Sequence, residues 1–341
     1  METPRIEAMG LVQSTMRVLV LGGGAWGTTV ASLAANNAET SVWCRDHNTV
    51  ADINERHQNP RYLGDCELHP DLHATTELEE VTETADLLVI GTPAHAFRET
   101  LHRVASSIRP GVPVLSLAKG LEQGSRLRMS QIVNEVLPGH PAGVLTGPNL
   151  AEEVLAGRAA ATVVAMSDAA FAERFQRVFS TERFQVFLSD DVAGCELGGA
   201  LKNVIALASG MGDGLGAGDN MRAVVITRGL AELTRLGQAL GARAETFAGI
   251  SGMGDLIATS ASRKSRNRYF GHQLGLGRSV EEIASEMDQV VEGVKSAPIV
   301  CALAEEAGLE MPIAEAVNAV LKGERSTAEA YDSLLRPSVH R

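Results

Sequence analysis

Gly22-Gly23-Gly24-Ala25-Trp26-Gly27 follows directly on the apolar run Arg17–Gly22 (RVLVLG), and no other stretch restricts the fold so tightly. The spacing G-x-G-x-x-G, set between a strand and a helix, is the turn of dinucleotide-binding α/β units. Gly22 permits the tight turn, Gly24 lets backbone approach a pyrophosphate, and Gly27 lets helix and strand pack closely. A helix opening here offers N–H groups and its positive dipole end to an anion. Glycine-rich turns are common, so the weight of this one comes from its strand–turn–helix setting.

Further apolar runs at Ser41–Arg45, Asp86–Thr92, Val112–Ala118 and Ala142–Gly147 are rich in Val, Leu and Ile, and each closes on a polar residue or glycine. Such near-continuous runs suit parallel strands buried on both faces. Helical spacing lies between them, as in Phe97, Leu101, Val104 and Ile108. Strand, helix and strand at these lengths predict right-handed crossovers and an open, doubly wound sheet. Ala161–Ser167 and Phe184–Ser189 extend that sheet.

After about Asp190 the strand signals stop, and helices broken by glycine follow: Cys195–Ser209, Arg222–Leu240, Val280–Met287, Val294–Ala307 and Ile313–Leu321. The expected organisation is a Rossmann-like α/β domain over residues 17–189 and an all-α domain over 190–336. No Pro- or Ser-rich linker separates them, which predicts a tight interface. Residues 1–16 read as a flexible leader, with Met16 an alternative start.

A chain of 341 residues is long enough for two domains or one large one. Its formal charge of −12 argues against a nucleic-acid partner, which would need a broad basic face. Cys44, Cys66, Cys195 and Cys301 form neither a Cys-x-x-Cys pair nor a zinc ribbon, so a reduced, cytoplasmic protein is expected. His69 and His73 stand four apart with Pro70 between them, which argues against a ligand-bearing helix, and no metal is expected. No apolar run approaches the ~18 residues needed to span a bilayer. The first sixteen residues also lack the apolar core of a signal peptide.

The second predicted strand ends Trp43-Cys44-Arg45-Asp46. Arg45 suits a ribose 2′-phosphate, whereas Asp46 would serve a 2′-hydroxyl if the register slips by one; Arg45 as an ordinary solvated residue is the third reading. The balance leans to NADP, with NAD alongside.

Two clusters in the second half carry chemistry. Cys195-Glu196-Leu197-Gly198-Gly199-Ala200-Leu201-Lys202-Asn203 sets a lysine in apolar company beside paired glycines that let a substrate or another backbone come close. Desolvation there would lower the pKa of Lys202 and fit it for proton exchange with an alcohol or carbonyl oxygen; the alternative is a lysine snorkelling from a buried helix. Gly252-Met253-Gly254-Asp255, Thr259 and Ser265-Arg266-Asn267-Arg268 form the other cluster. An arginine fork, an amide and a hydroxyl make a receptor for a phosphate dianion, and Asp255 could hold an ammonium such as Lys202 or a substrate hydroxyl. Against this stands a solvated basic loop or a nucleic-acid patch over 263–268, the latter disfavoured by the acidic chain and by Tyr269 and Phe270 as the only nearby aromatics.

These motifs, together with Ala118-Lys119-Gly120-Leu121-Glu122, Gly147-Pro148, Gly218-Asp219-Asn220, Thr227-Arg228-Gly229-Leu230-Ala231-Glu232 and Val290-Val291-Glu292-Gly293, run in order from about residue 17 to residue 335. The set resembles the NAD(P)-dependent glycerol-3-phosphate dehydrogenases, most closely the bacterial branch. The resemblance implies interconversion of sn-glycerol 3-phosphate and dihydroxyacetone phosphate, with supply of the former for phospholipid synthesis. By this likeness Lys202 is the catalytic proton acceptor and Lys119 meets both substrate and cofactor. Gly147, Asn149, Lys202, Asp255, Ser265, Arg266 and Asn267 join Lys119 as substrate-binding positions. The turn glycines Gly22, Gly24 and Gly27, with Ala25, Trp26, Arg45, Ala151, Arg266, Val290 and Glu292, make up the cofactor set. A homodimer is also implied, for which the sequence offers no interface.

Three positions depart from the family pattern. Asn149 stands where Ser or Thr is usual, Glu153 where lysine is common, and Ala25 where serine is frequent. Two rival readings remain. A β-hydroxyacid dehydrogenase would share the architecture and the helical lysine but would recognise a carboxylate. A non-catalytic NAD(P)-binding sensor would keep the turn without Lys119, Lys202, Asp255 and Arg266 together.

Overall fold

The computed structural model describes residues 16–287 and 291–335. Eight strands form one sheet: β1 Arg17–Leu21, β2 Glu39–Trp43, β3 His73–Thr75, β4 Leu87–Ile90, β5 Val114–Ser116, β6 Ala142–Thr146, β7 Ala160–Met166 and β8 Phe184–Ser189. Their order is β3-β2-β1-β4-β5-β6-β7-β8. Every neighbouring pair is parallel except β6 with β7.

Alternation along each central strand explains the two-sided burial. Val18 and Val20 of β1 join one apolar cluster with Leu87 and Val89 of β4, while Leu19 and Leu21 join another with Leu88 and Ile90. Helices cover both faces, as the doubly wound expectation requires.

Two features differ from the sequence reading. β3 is only three residues long and includes two polar residues, too short to leave an alternating pattern. β7 runs antiparallel to β6 rather than continuing the parallel series. The connection between them contains a single five-residue helix, Ala151–Leu155. That helix advances ~7.5 Å, less than half the ~17 Å length of a five-residue strand, so it cannot carry the chain back for a parallel return.

Beyond β8 the described residues are helical. The helix Val192–Gly214 has 23 residues and is buried from Gly194 to Gly212, apolar on almost every side as a central helix must be. Around it pack the helices Gly218–Ala239, Asp255–Ala261, Arg266–Gly275 and Glu292–Glu306. Its closest neighbour approaches through glycines: a Cβ on Gly210 would lie 2.0 Å from the Arg268 carbonyl oxygen, and one on Gly271 2.1 Å from that of Leu207. Backbones so close fix the height of the Arg266–Gly275 helix against the lysine-bearing one. Among the described residues, no helix is long and apolar enough to cross a membrane.

Candidate functional site

The order in which strands are added reverses between β1 and β4, which are parallel: β2 and β3 lie on one side of β1, and β4 on the other. Open α/β sheets bind ligands at such a point, beyond the carboxyl ends of the strands. The glycine turn sits there. Gly22 has φ +122°, a region that side chains avoid, and its N–H donates to the Trp43 carbonyl at 3.1 Å. A Cβ on Gly27 would fall 2.1 Å from the Gly22 carbonyl oxygen, so the helix Ala25–Ala34 packs on the turn only because Gly27 lacks one. Gly24 precedes that helix with no side-chain cap, and a Cβ added to it meets nothing within 4 Å. An uncapped helix start beside open space fits a dinucleotide pyrophosphate.

Ala25 is the first residue of the helix, and Trp26 leans on Phe184 with ring centroids 6.3 Å apart. The Trp26 indole N–H is buried without a protein partner. At the end of β2, Asp46 caps the helix His47–Arg56, accepting from the Asn48 N–H at 3.1 Å and the Thr49 hydroxyl at 3.0 Å, and pairs with Arg61. The acid is therefore engaged locally, and Arg45 is the exposed residue beyond the strand.

The proton-exchanging candidates converge from three elements. Lys202 lies midway along the Val192–Gly214 helix and is 4% exposed. Its Nζ donates to Asp255 Oδ1 at 2.6 Å and to the Thr259 hydroxyl. Lys119, in the loop after β5, places its Nζ 2.8 Å from Asp255 Oδ2 and donates to the Gly147 carbonyl at 2.7 Å. One buried carboxylate thus bridges two ammonium groups. Burial lowers the Lys202 pKa to about 8; the charge of Lys119 also lowers it, while Asp255 opposes both. The resulting centre carries surplus positive charge in a dry setting, which suits an oxyanion.

Local backbone explains the placement of Asp255. It follows the π-turn Ile250–Gly254, and the Ser251 carbonyl of that turn approaches Gly198 so closely that a Cβ there would sit 3.0 Å away. A Cβ on the neighbouring Gly199 would lie 2.9 Å from the Thr146 hydroxyl and 3.5 Å from the Lys119 side chain. The paired glycines admit another backbone and the second lysine.

Ser265 caps the ten-residue helix Arg266–Gly275, accepting from the Arg268 N–H at 3.2 Å, so this stretch is a helix start and not a solvated loop. Arg266 is exposed at that start and acts electrostatically on Glu292. Asn267 is half-buried; its Oδ1 accepts from the Gly293 N–H at 2.8 Å and its Nδ2 donates to Asn203 Oδ1 at 3.0 Å. One N–H of that amide remains for a ligand. Asn203 in turn donates to the Lys119 carbonyl at 3.2 Å, which ties the lysine loop to both helices.

Gly147 has φ +156° and abuts Thr162, to whose hydroxyl Asn149 donates at 3.0 Å. The Asn149 Oδ1 is buried without a protein partner. Ala151 opens the short helix beyond, and Glu153 pairs with Arg158 at 3.6 Å, so its reversed charge is balanced locally. Glu292 begins the helix Glu292–Glu306 beside Gly120, where a Cβ would meet its carboxylate at 3.2 Å. Burial raises its pKa, with Lys295 and Arg266 pulling the other way. Val290 lies outside the described residues.

The structure thus gathers Lys119, Gly147, Lys202 and Asp255 directly and links Asn267 to them through Asn203. Sequence reasoning placed Thr259 in the second cluster but not as a partner of Lys202, and gave Asn203 no role of its own. The spacing of Asp255 and Thr259, four apart on one helix, was the available signal for the first.

Comparison with known proteins adds the following. Residues 17–172 match the model of the NAD-dependent glycerol-3-phosphate dehydrogenase N-terminus, and residues 191–332 match that of its C-terminus. A glycerol-3-phosphate dehydrogenase [NAD(P)+] 2 of Sphingopyxis alaskensis is 53% identical over 95% of this chain and 97% of its own length. A glycerol-3-phosphate dehydrogenase [NAD(P)+] 1 of Mycobacterium tuberculosis is also 53% identical, over 94% of each chain. The crystal structure of a glycerol-3-phosphate dehydrogenase from Coxiella burnetii superposes with TM-score 0.89 at 34% identity, covering 95% of this chain and 99% of the other.

Proposed function

This chain belongs to the NAD-dependent glycerol-3-phosphate dehydrogenase family and is an oxidoreductase; from that premise we propose that it interconverts sn-glycerol 3-phosphate and dihydroxyacetone phosphate. The observation that carries the reading is the Lys202–Asp255–Lys119 bridge, its carboxylate buried, beyond the carboxyl ends of β5 and β6.

When bound, the nicotinamide cofactor supplies or takes up the hydride exchanged with C2 of the substrate. Gly24 and Ala25 would hold its pyrophosphate at the uncapped helix start that Gly22 and Gly27 shape, and Trp26, Ala151 and Glu292 would complete its surroundings. Arg45, exposed where Asp46 is engaged as a cap, favours a 2′-phosphate and therefore NADP.

Lys202 exchanges the proton on the C2 oxygen. A lysine with its pKa near 8 is well placed for this, because both of its protonation states are populated close to neutral pH. Asp255 fixes the direction of the Lys202 ammonium, and Lys119 adds positive charge where oxyanion character develops. Arg266, Ser265 and Asn267 hold the phosphate at a helix start, with Gly147 and Asn149 lining the loop opposite. Binding the remote phosphate orients the carbon for transfer. Burial keeps bulk water from Lys202.

We also propose a division at residue 190, supported by the end of β8 at Ser189 and the start of the long helix at Val192. A cytoplasmic homodimer completes the proposal; cell fractionation and light scattering test those two points.

The test of substrate class is NADPH oxidation with dihydroxyacetone phosphate beside a panel of 2- and 3-keto carboxylates. Turnover confined to the phosphate is expected. Turnover confined to a carboxylate would overturn the reading.

A further inference from the structure

Asn59 is wholly buried and immediately precedes the short helix Pro60–Leu63. An asparagine at that position ordinarily accepts from the N–H groups of its own helix. This one makes no such bond. Its Nδ2 donates instead to the Gly23 carbonyl at 2.9 Å and to the Thr28 hydroxyl at 2.9 Å. Both contacts lie in the glycine turn and the helix it opens. Gly23 O is an acceptor only, so the amide is held with its nitrogen toward the turn; the opposite orientation would set acceptor against acceptor.

The peptide bonds here are trans. The Gly23 C=O and the Gly24 N–H therefore lie in one plane and point in opposite directions within it. Fixing the carbonyl on Asn59 turns the Gly24 N–H the other way, off the packed side of the turn. The packed side is tight: a Cβ on Gly23 would lie 2.3 Å from the Cys44 sulfur, whereas one on Gly24 meets nothing within 4 Å.

We propose that Asn59 is a positioning residue for the cofactor: its amide sets the Gly23–Gly24 peptide so that the turn donates to the pyrophosphate of NAD(P)H. It acts through Gly23 and Thr28. The inference rests on the glycine turn being the cofactor site.

The test is NADPH titration of the full-length wild type, Asn59→Ala and Asn59→Asp, followed by fluorescence, with steady-state kinetics and thermal melts of each. The aspartate keeps the shape of asparagine but sets an oxygen against Gly23 O. The Kd and KM for NADPH are expected to rise about tenfold in both variants, the scale of one lost buried hydrogen bond. At saturating NADPH, kcat is expected to hold within about twofold and the KM for dihydroxyacetone phosphate to stay unchanged. Folded variants that bind NADPH as tightly as wild type overturn the proposal, as does a loss confined to kcat. Should both variants fail to fold, Thr28→Val removes one of the two acceptors; it is expected to raise the NADPH Kd with kcat kept, and an unchanged Kd there overturns the proposal. A wild type that binds no NADPH overturns the cofactor reading and this inference together. A wild type that binds normally beside variants that bind equally well overturns the inference alone.

Discussion

Lys202 meets one carboxylate, one hydroxyl and the field of a second lysine, with almost no water. To accept a proton during alcohol oxidation it must first be neutral, and to donate one during ketone reduction it must be charged. With its pKa at about 8, kcat for glycerol 3-phosphate oxidation is predicted to rise with pH through that value. The kcat for reduction is predicted to fall through the same range. Profiles in both directions check this, and curves flat from about pH 7 to about pH 9 contradict it. Asp255 raises the Lys202 pKa, so Asp255→Asn is predicted to move the midpoint to lower pH as well as to slow turnover. Arg45→Ala is predicted to raise the KM for NADPH about tenfold and to leave that for NADH nearly unchanged, since only NADPH carries the 2′-phosphate. An equal effect on both cofactors would return Arg45 to an ordinary solvated residue.

At the scale of elements, the glycine turn and its flanking strand were legible because the constraint is local: Gly22 and Gly27 lie within the stretch they shape. Lys202 stood out as a charge in an apolar helix. Asp255 was legible as a partner for its ammonium, whereas the bridge from that carboxylate to Lys119 was not, because the geometry depends on a π-helical turn and on close approach to Gly198, which no periodicity encodes. β3 and the direction of β7 escaped for the same reason, being fixed by neighbours and connection length and not by their own residues, although β7 itself was legible as a strand.

A similar long-range device caps the helix Pro312–Leu321. Its first turn has no capping side chain of its own; Glu232, from the middle of the Gly218–Ala239 helix, accepts from the Ile313 N–H at 3.0 Å. Burial pushes the Glu232 carboxyl up from 4.5 to about 7. Between those values the folded chain holds a proton that the unfolded chain releases. The stability from this group is therefore full below about pH 4.5 and is lost as pH rises through about 7. Glu232→Gln is predicted to abolish that decline. Urea midpoints of the two proteins at about pH 5 and about pH 7 check it, and parallel changes would contradict it.

Across the whole molecule, ion pairs join the sheet half to the helical half: Arg128 to Glu196, Lys119 to Asp255 and Lys264 to Glu152. Glu196, buried on the lysine helix, accepts from Arg128 and from both the N–H and the hydroxyl of Ser130 at 2.6 to 2.7 Å. Glu196→Ala leaves a half-buried arginine without its carboxylate and is predicted to cost about 3 kcal/mol of unfolding free energy. A urea-derived change below about 1 kcal/mol would contradict that. The contact between the halves is also apolar, since Val144, Val163 and Ala165 of the sheet form one cluster with Cys195 of the lysine helix. Sequence composition announced the change from strands to helices near residue 190 but gave no sign of which charges would meet across it.

The most direct measurement is the loss of NADPH absorbance on adding dihydroxyacetone phosphate, for wild type and Lys202→Ala, with NADPH affinity measured on both. Rapid oxidation by wild type is predicted, falling by at least about a hundredfold in the variant while NADPH binding is kept. Near-normal turnover in Lys202→Ala, or none in a folded wild type that binds NADPH, would contradict the account.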